Sequence, residues 1–167
     1  MYDRLTKGDI EKMEREILER KLKVRPELIE AVKEARAQGD LSENFEYYAA
    51  KREKNQNESR IRYLERMVRT AQIVEDNAGE GEVSMNRPVE VYFPEDDETE
   101  IFRIVTTIRG NSLKGLISID SPLGKALLHK KAGETAHVDM GNGAGYDVVI
   151  RRIGEATDEA DDAIRGF

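Results

Sequence analysis

Two helical segments of nearly equal length, joined by a very short turn, constrain this fold more than any other feature of the sequence. The first covers residues 6–37, where Gly8 is the only glycine, and the second covers residues 42–74. Each holds about 31 residues and would be roughly 45 Å long at 1.5 Å per residue. Gly39 ends the first segment, because glycine readily takes the left-handed backbone that follows helix C-termini. Helices joined by so short a link fold back antiparallel, so the sequence predicts a long helical hairpin.

Apolar side chains recur along both segments at steps of three, four or seven residues, which place them on one narrow helical face. Such a stripe is typical of a coiled-coil seam. Pro26 interrupts it, since proline has no N–H and crowds the preceding turn, so we expect a kink or a short break at Arg25–Pro26. The predicted seam residues are Ile10, Met13, Ile17, Val24, Leu28, Ala31 and Ala35 in the first segment and Ala50, Ile61, Leu64, Val68 and Ala71 in the second.

Beyond a charged linker at residues 75–82, the apolar period changes to two, which is typical of strands. One short helix is predicted at residues 121–130, with Ser121 as its N-cap and Pro122 at its first position. The GNGAG sequence is predicted to form a hairpin turn. The fold class is therefore α+β, a long antiparallel helical hairpin followed by a small β-sheet domain with one short helix. The predicted strands are residues 88–93, 100–105, 116–119, 135–138 and 146–153.

The chain divides into parts of different charge. Residues 1–77 contain 17 Lys and Arg against 17 Asp and Glu, whereas the remainder contains 10 against 17 and supplies the whole net charge of −7. The final residues are acidic and weakly periodic, so we expect a mobile tail. The predicted parts are a helical-hairpin domain at 1–77, a linker at 78–84, a β domain at 85–155 and an acidic tail at 156–167.

Several classes of protein are excluded by composition. The chain has no cysteine, which excludes disulfides, zinc ribbons and thiol nucleophiles. It has no apolar run of roughly 18 residues and no signal-peptide pattern, so we expect a cytoplasmic protein without membrane contact. His129 and His137 lack the spacing of metal ligands, and Ser121 lacks the Gly-x-Ser-x-Gly elbow of a hydrolase. The sequence therefore predicts no self-contained active site.

The turn between the helical segments carries two carboxylates, Asp40 and Glu43, with Glu46 one turn further along. A spacing of three residues across a helix start can point two carboxylates to the same side. Mg²⁺ takes one or two carboxylates from a protein and fills its other positions with waters and substrate phosphates. Two acids on an exposed turn would therefore complete a magnesium site elsewhere. The alternative is that they only cap the helix, where acids are common.

Basic side chains form a stripe along the second segment, each within about 60° of Lys51 on a helical wheel of 100° per residue. Residues 47–74 hold seven basic and three acidic side chains, and such clustering predicts contact with nucleic acid or another polyanion. The alternative is a solvated face held by ion pairs four residues apart, such as Glu58–Arg62 and Glu65–Arg69. The members of this basic stripe are Lys51, Lys54, Arg62, Arg66 and Arg69.

Two long stretches carry a family resemblance. The sequence ARAQGDLSENFEYYAAKRE, followed by RIRYLERMVRTAQIV, resembles the hairpin of the bacterial GreA/GreB family of transcript cleavage factors. Downstream, GLISIDSPLGKALLHKKAGE is similar to the signature of that family's C-terminal domain, which has an FKBP-like fold. The resemblance spans about residues 5–153. It departs from the family pattern at VTTIRGNSLKG and at His129, and the acidic tail extends beyond the family's usual end.

The resemblance implies a cofactor of RNA polymerase and not an enzyme. In this family the C-terminal domain binds near the mouth of the polymerase secondary channel, and the hairpin reaches the active centre. The tip acids there help to hold a weakly bound Mg²⁺ while the polymerase cleaves the 3′ end of backtracked nascent RNA, so that elongation resumes. By position in GDLSEN, these acids carry over to Asp40 and Glu43, which would share Mg²⁺ with the polymerase.

Two further assignments follow from the same resemblance, and a third, the oligomeric state, follows from the predicted seam. The basic stripe would lie near the extruded RNA. A monomer is expected, because the seam is satisfied within the hairpin. The assigned polymerase-docking residues are Ser121, Pro122, Leu123 and Gly124.

Three other functions fit the sequence less well. A related protein that binds the secondary channel and inhibits the polymerase would alter the tip, whereas GDLSEN is intact here. A structural or chaperone-like hairpin would need an apolar tip to hold its clients, and this tip is polar and acidic. A prolyl isomerase of the FKBP type would need a pocket lined by several aromatic residues. The aromatic residues of the second half are only Tyr92, Phe93, Phe102, Tyr146 and Phe167.

Overall fold

The structure, a computed structural model, describes residues 3–39 and 44–166. They form two compact units, one containing Ile10–Ala71 and the other containing Arg4–Asp9 together with Gln72–Gly166. The α+β class is confirmed, and no helix in the described ranges is long and apolar enough to cross a bilayer. The elements are β1 (Arg4–Leu5), α1 (Lys7–Glu19), α2 (Arg25–Arg36), α3 (Phe45–Thr70), β2 (Gln72–Ile73), β3 (Pro88–Phe93), β4 (Glu98–Val105), β5 (Leu116–Ser118), α4 (Pro122–Leu127), β6 (Thr135–Gly141) and β7 (Ala144–Ile153).

The first unit is an antiparallel helical hairpin, as predicted. Arg36 contacts Tyr47 close to the turn, and Glu16 contacts Arg60 further along both helices. The break predicted at Pro26 is instead a π-helical segment, Arg20–Val24, that joins α1 to α2. Pro26 cannot donate an N–H to the carbonyl four residues earlier, and a wider turn allows the helix to continue.

The buried seam of the hairpin is partly apolar and partly polar. Met13, Ala35, Ile61 and Leu64 are buried as predicted, but Met67 takes the buried position assigned to Val68. Between the apolar positions lies a polar network. The carboxylate of Glu16 accepts from Arg20 Nε at 2.8 Å and from Arg60 Nε at 2.9 Å, and Arg20 Nη1 donates to Asn57 Oδ1 at 2.9 Å.

Helix α3 is shorter than its predicted span of residues 42–74. It begins at Phe45 with Asn44 as its N-cap, whereas the predicted start at Ser42 lies outside the described residues. It ends at Thr70, because the next residues form β2, which pairs in parallel with β1. The pairing continues where Val74 N donates to the carbonyl of the buried Leu5 at 2.9 Å.

The second unit contains a five-stranded sheet in the order β5-β4-β3-β7-β6, antiparallel except for the β4–β5 pair. All five predicted strands are confirmed, and several are longer than the period-two pattern indicates. The predicted GNGAG hairpin turn is confirmed, with Asn142 at φ 53° and Gly143 at φ 76°. The core residues of the second unit are Val83, Met85, Val89, Val91, Ile104, Ile119, Leu127, Ala136, Val138, Val148 and Ile150.

The tail, residues 156–167, differs from the mobile segment that its composition indicates. Both the N–H and the Oγ1 of Thr157 donate to the carbonyl of Asn86, at 2.7 and 2.8 Å. A 3₁₀ turn follows at Glu159–Asp161, and Arg165 N donates to Ile108 O at 2.9 Å. Acidic composition favours disorder only when the acids lack partners, and here the β domain supplies them.

Candidate functional site

The predicted tip acids, Asp40 and Glu43, lie outside the described residues, but the helix ends on either side of them are described. Asn44 joins these ends, because its Nδ2 donates to Ala35 O at 2.7 Å and its Oδ1 accepts from Tyr47 N at 3.0 Å. One side chain thus caps α3 and holds it against the end of α2. The sequence predicts the start of this helical segment at residue 42, two residues before Asn44, which is a strong N-cap residue.

The surroundings of Tyr47 at this end of the hairpin are cationic. Arg36 Nη2 donates to the Tyr47 hydroxyl at 3.4 Å and lies 5.6 Å from the ring centroid. Lys51 Nζ lies 6.0 Å from the same centroid. The hydrogen bond from Arg36 is the main cause that lowers the pKa of Tyr47. Positive charge therefore lies next to the two predicted acids along the chain.

A magnesium ion shared between Asp40, Glu43 and the polymerase stays a prediction, because both acids lie outside the described residues. Within residues 3–39 and 44–166, no group of three or more His, Asp and Glu side chains could hold a metal ion. Asp40 and Glu43 together offer two carboxylate ligands. This is the number that Mg²⁺ takes from a protein when waters and phosphates supply the rest.

The basic stripe lies along α3, with Lys54 half-buried and its other members exposed. In the described part of the chain, no carboxylate lies within ion-pair distance of any member of the stripe. Two members contact uncharged groups: Arg62 Nη2 donates to Ser59 Oγ at 3.0 Å, and Arg66 lies over the Tyr63 ring at 5.8 Å. The stripe therefore keeps its charge available at the surface.

The predicted pairs Glu58–Arg62 and Glu65–Arg69 are wrong, because both acids are bound across the hairpin. Glu58 accepts from Arg25 Nε at 2.7 Å and from Arg25 Nη2 at 2.9 Å, and Glu65 pairs with Lys21. The bond from Arg25 lowers the pKa of Glu58. The alternative interpretation of the basic stripe, a solvated face held by ion pairs four residues apart, is thus not what α3 shows.

The four predicted docking residues lie at the start of α4, and packing accounts for three of them. Ser121 Oγ accepts from Gly124 N at 3.0 Å and donates to Ser118 O at 2.6 Å, which confirms the predicted N-cap. A Cβ at Gly124 would collide with that same carbonyl oxygen. Leu123 packs against the core, whereas Pro122 is exposed. Pro122 is therefore the member of this group that is available to a partner.

An open groove of about 710 Å³ lies beside Ser121. Leu113, which is 98% exposed, and the half-buried Ile117 form part of its lining, as do Arg165 and Gly166 of the tail. Next to it, Asp120 pairs with Arg4 at 2.8 Å. The start of α4 thus borders an open groove whose lining combines the apolar Leu113 and Ile117 with polar side chains.

The structure contains a buried ionic cluster around Arg109 that the sequence does not predict. Its guanidinium has no exposed surface and lies 2.7 Å from Asp9, 2.8 Å from Asp162 and 3.3 Å from Glu159. Burial raises the pKa of Asp162, but hydrogen bonds from Arg103 and Arg109 outweigh this and leave the pKa below its ordinary value. The partners are distant along the chain, so no local pattern indicates the cluster.

With the geometry established, comparison with known families defines the class of protein. Residues 4–73 match the family described as "Transcription elongation factor, N-terminal", and residues 78–154 match "Transcription elongation factor, GreA/GreB, C-term". The two matches cover the helical hairpin and the β domain, an arrangement that defines a two-part transcription elongation factor. The chain belongs to the GreA/GreB family.

Individual relatives agree with this membership. Transcription elongation factor GreA of Streptococcus pneumoniae serotype 19F (strain G54) is 41% identical over 150 residues, which cover 89% of this chain and 93% of the relative. GreA of Staphylococcus saprophyticus is 39% identical over 149 residues, with coverage of 89% and 94%. Among solved structures, GreA factor homolog 1 (Gfh1) of Thermus thermophilus has a TM-score of 0.43 and 26% identity, covering 93% of this chain and 100% of that one.

Proposed function

We propose that this elongation factor binds RNA polymerase and stimulates the polymerase to cleave the 3′ end of backtracked nascent RNA, which rescues arrested complexes. The observation that carries the proposal is the family match along both the hairpin and the β domain, together with the intact acidic tip GDLSEN. The factor is a cofactor of the polymerase rather than an enzyme, because its chemistry needs a metal and a substrate that another protein holds.

Asp40 and Glu43 are the residues that we assign to the chemistry. In a two-metal phosphoryl mechanism, the second Mg²⁺ stabilises the attacking oxygen of a water-derived hydroxide. The two carboxylates supply oxygen ligands to that ion and orient the water, and no covalent intermediate on the protein is required. Asn44 supports this role, since it fixes the start of α3 immediately after Glu43.

The basic stripe is assigned to the extruded RNA. No carboxylate of the described residues lies within ion-pair distance of its cations, and Glu58 and Glu65 of α3 are bound to Arg25 and Lys21. A phosphate backbone would supply the missing anions, with release of counterions and a corresponding dependence on salt.

The β domain is assigned to polymerase docking at the mouth of the secondary channel. Leu113 lines the groove beside Ser121, and Pro122 follows Ser121 along the chain; both side chains are exposed and available to a protein partner. The hairpin seam is satisfied within one chain, so we assign a monomer as the binding species.

The test uses a backtracked elongation complex with RNA labelled at its 3′ end. Wild-type protein should release short labelled fragments, whereas Asp40→Asn with Glu43→Gln should release none and should still bind polymerase. Glu46→Gln is the matched control, because it removes an exposed acid one turn further along and should leave cleavage intact. Slower elongation without cleavage by the wild-type protein would overturn the proposal in favour of a channel-binding inhibitor.

A further inference from the structure

Two aromatic rings lie exposed at the start of α3. Phe45 is 86% exposed and Tyr48 is 49% exposed, although both can bury large apolar surfaces. They are three residues apart, so they share one face of the helix, and Arg52 lies on the same face one turn further on. We call Phe45 and Tyr48 the aromatic face.

The two rings of the aromatic face contribute little to the packing of the hairpin. The buried residues of α3, such as Ile61 and Leu64, point to the opposite side of the helix. Tyr48 has an edge contact with Tyr47 at 5.4 Å between centroids, while no ring or cation of the described residues contacts Phe45. Single exposed apolar residues are ordinary, but two exposed rings close together at the start of a highly charged helix are unusual.

The charges around the aromatic face select its partner. Lys51 and Arg52 are exposed within two turns, as are Glu46 and Glu53, and further along the helix the cations prevail, with seven basic against three acidic side chains in residues 47–74. A lipid or a protein core would require a broad apolar patch, whereas this surface interleaves rings with cations. Rings for base stacking beside cations for phosphates are what single-stranded nucleic-acid sites combine.

We infer that Phe45 and Tyr48 stack on unpaired bases of the extruded RNA 3′ segment and hold it beside the acidic tip. This inference rests on the proposed function, because it requires the hairpin end to meet nascent RNA. Phe45 follows Glu43 by two residues along the chain, so the ring is close in sequence to the predicted acids. Stacking accepts every base, because every base presents a π-face to an aromatic ring.

The test places a fluorescent adenine analogue in the extruded 3′ segment of a backtracked complex. Wild-type binding should quench the analogue, and Phe45→Ala should abolish most of the quenching and raise the concentration for half-maximal cleavage by roughly tenfold. Phe45→Trp should retain both properties, because an indole ring also stacks. Leu18→Ala, which truncates another exposed apolar residue of the hairpin, is the control and should change neither.

Each outcome decides the inference separately from the proposed function. Quenching and cleavage that are unchanged in Phe45→Ala would overturn it. An equal loss of affinity for polymerase that carries no RNA would assign the aromatic face to a protein contact instead. Self-association of the wild-type protein, abolished by Phe45→Ala, would assign it to a second copy. Wild-type quenching that depends on Phe45 without any cleavage would leave the stacking intact and overturn the cleavage function.

Discussion

The guanidinium of Arg109 donates from Nη1 to Asp162 Oδ2 at 2.8 Å and thereby holds the tail to the β domain. Arg109 is fully buried, and Asp9 and Glu159 provide the remaining carboxylates around it. Asp162 in turn also pairs with Arg103. A buried charge that loses its partner destabilises a protein strongly. The tail is therefore a structural part of the domain, although the family match ends at residue 154.

Replacing Asp162 by Asn should lower the free energy of unfolding by about 2–3 kcal/mol, because Arg103 and Arg109 would share one carboxylate fewer. Urea denaturation followed by circular dichroism measures this loss. Asp161→Asn removes the same charge from the exposed neighbouring position and should cost at most about 0.5 kcal/mol. Equal losses in the two variants would contradict the role assigned to the buried pair.

The same carboxylate should make stability depend on pH. Burial raises the pKa of Asp162, but the bonds from Arg103 and Arg109 leave it below the ordinary value of 3.8. A carboxyl whose pKa is lower in the folded chain stabilises the folded state fully when the pH is above the carboxyl's ordinary pKa. That contribution is lost as the pH falls through the lower pKa of the folded chain. Unfolding free energies between about pH 6 and pH 3 should therefore fall more steeply in the wild type than in Asp162→Asn. Parallel curves would show that Asp162 titrates normally.

Elements that depend on local pattern can be predicted from this sequence. The strand Pro88–Phe93 follows from its period of two, and the start of α4 follows from Ser121 and Pro122. Strand β2 cannot be predicted in this way, because Gln72–Ile73 becomes a strand only through pairing with Arg4–Leu5.

In the candidate site, too, features set by a local sequence pattern can be predicted, whereas features set by contacts distant along the chain cannot. The tip acids are recognisable from a continuous motif, and the stripe from helical spacing. The partners of Glu58 are not recognisable, since a cation four residues away competes with Arg25 on the facing helix, and only the packed hairpin decides between them. Arg109 likewise looks like an ordinary surface residue until Asp9 and Asp162 are brought to it.

Replacing Arg62, Arg66 and Arg69 together by Ala should weaken action on long extruded RNA more than on short extruded RNA. None of the three forms an ion pair within the described residues, so hairpin stability should change little. Three lost contacts to single-stranded phosphates should reduce the salt dependence of half-maximal cleavage by a log–log slope of about 2.

The control for the stripe removes the same charge from the first helical segment. Arg15, Lys23 and Lys33 are exposed, and their replacement by Ala should leave the preference for RNA length unchanged. If both triple variants behave alike, the effect reflects net charge and not a located RNA contact.

Pro122 and Gly124 should separate docking from folding. Pro122→Ala changes an exposed residue and should weaken polymerase binding severalfold while the melting temperature stays constant. Gly124→Ala forces a Cβ into the carbonyl of Ser118 and should lower the melting temperature of the β domain. Calorimetry and a polymerase-binding titration on both variants check this. Unchanged binding by Pro122→Ala would exclude that residue from the docking surface.

The central claim is that Asp40 and Glu43 complete a magnesium site of the polymerase, and the Mg²⁺ dependence of cleavage tests it most directly. Backtracked complexes with 3′-labelled RNA would be titrated with Mg²⁺ alone, with wild-type protein, and with Asp40→Asn/Glu43→Gln at saturating concentration. The wild-type protein should lower the Mg²⁺ concentration for half-maximal cleavage by roughly tenfold, because two carboxylates add ligands to a weakly held ion. The double variant should leave it at the value of polymerase alone. An equal shift by both proteins would contradict the claim.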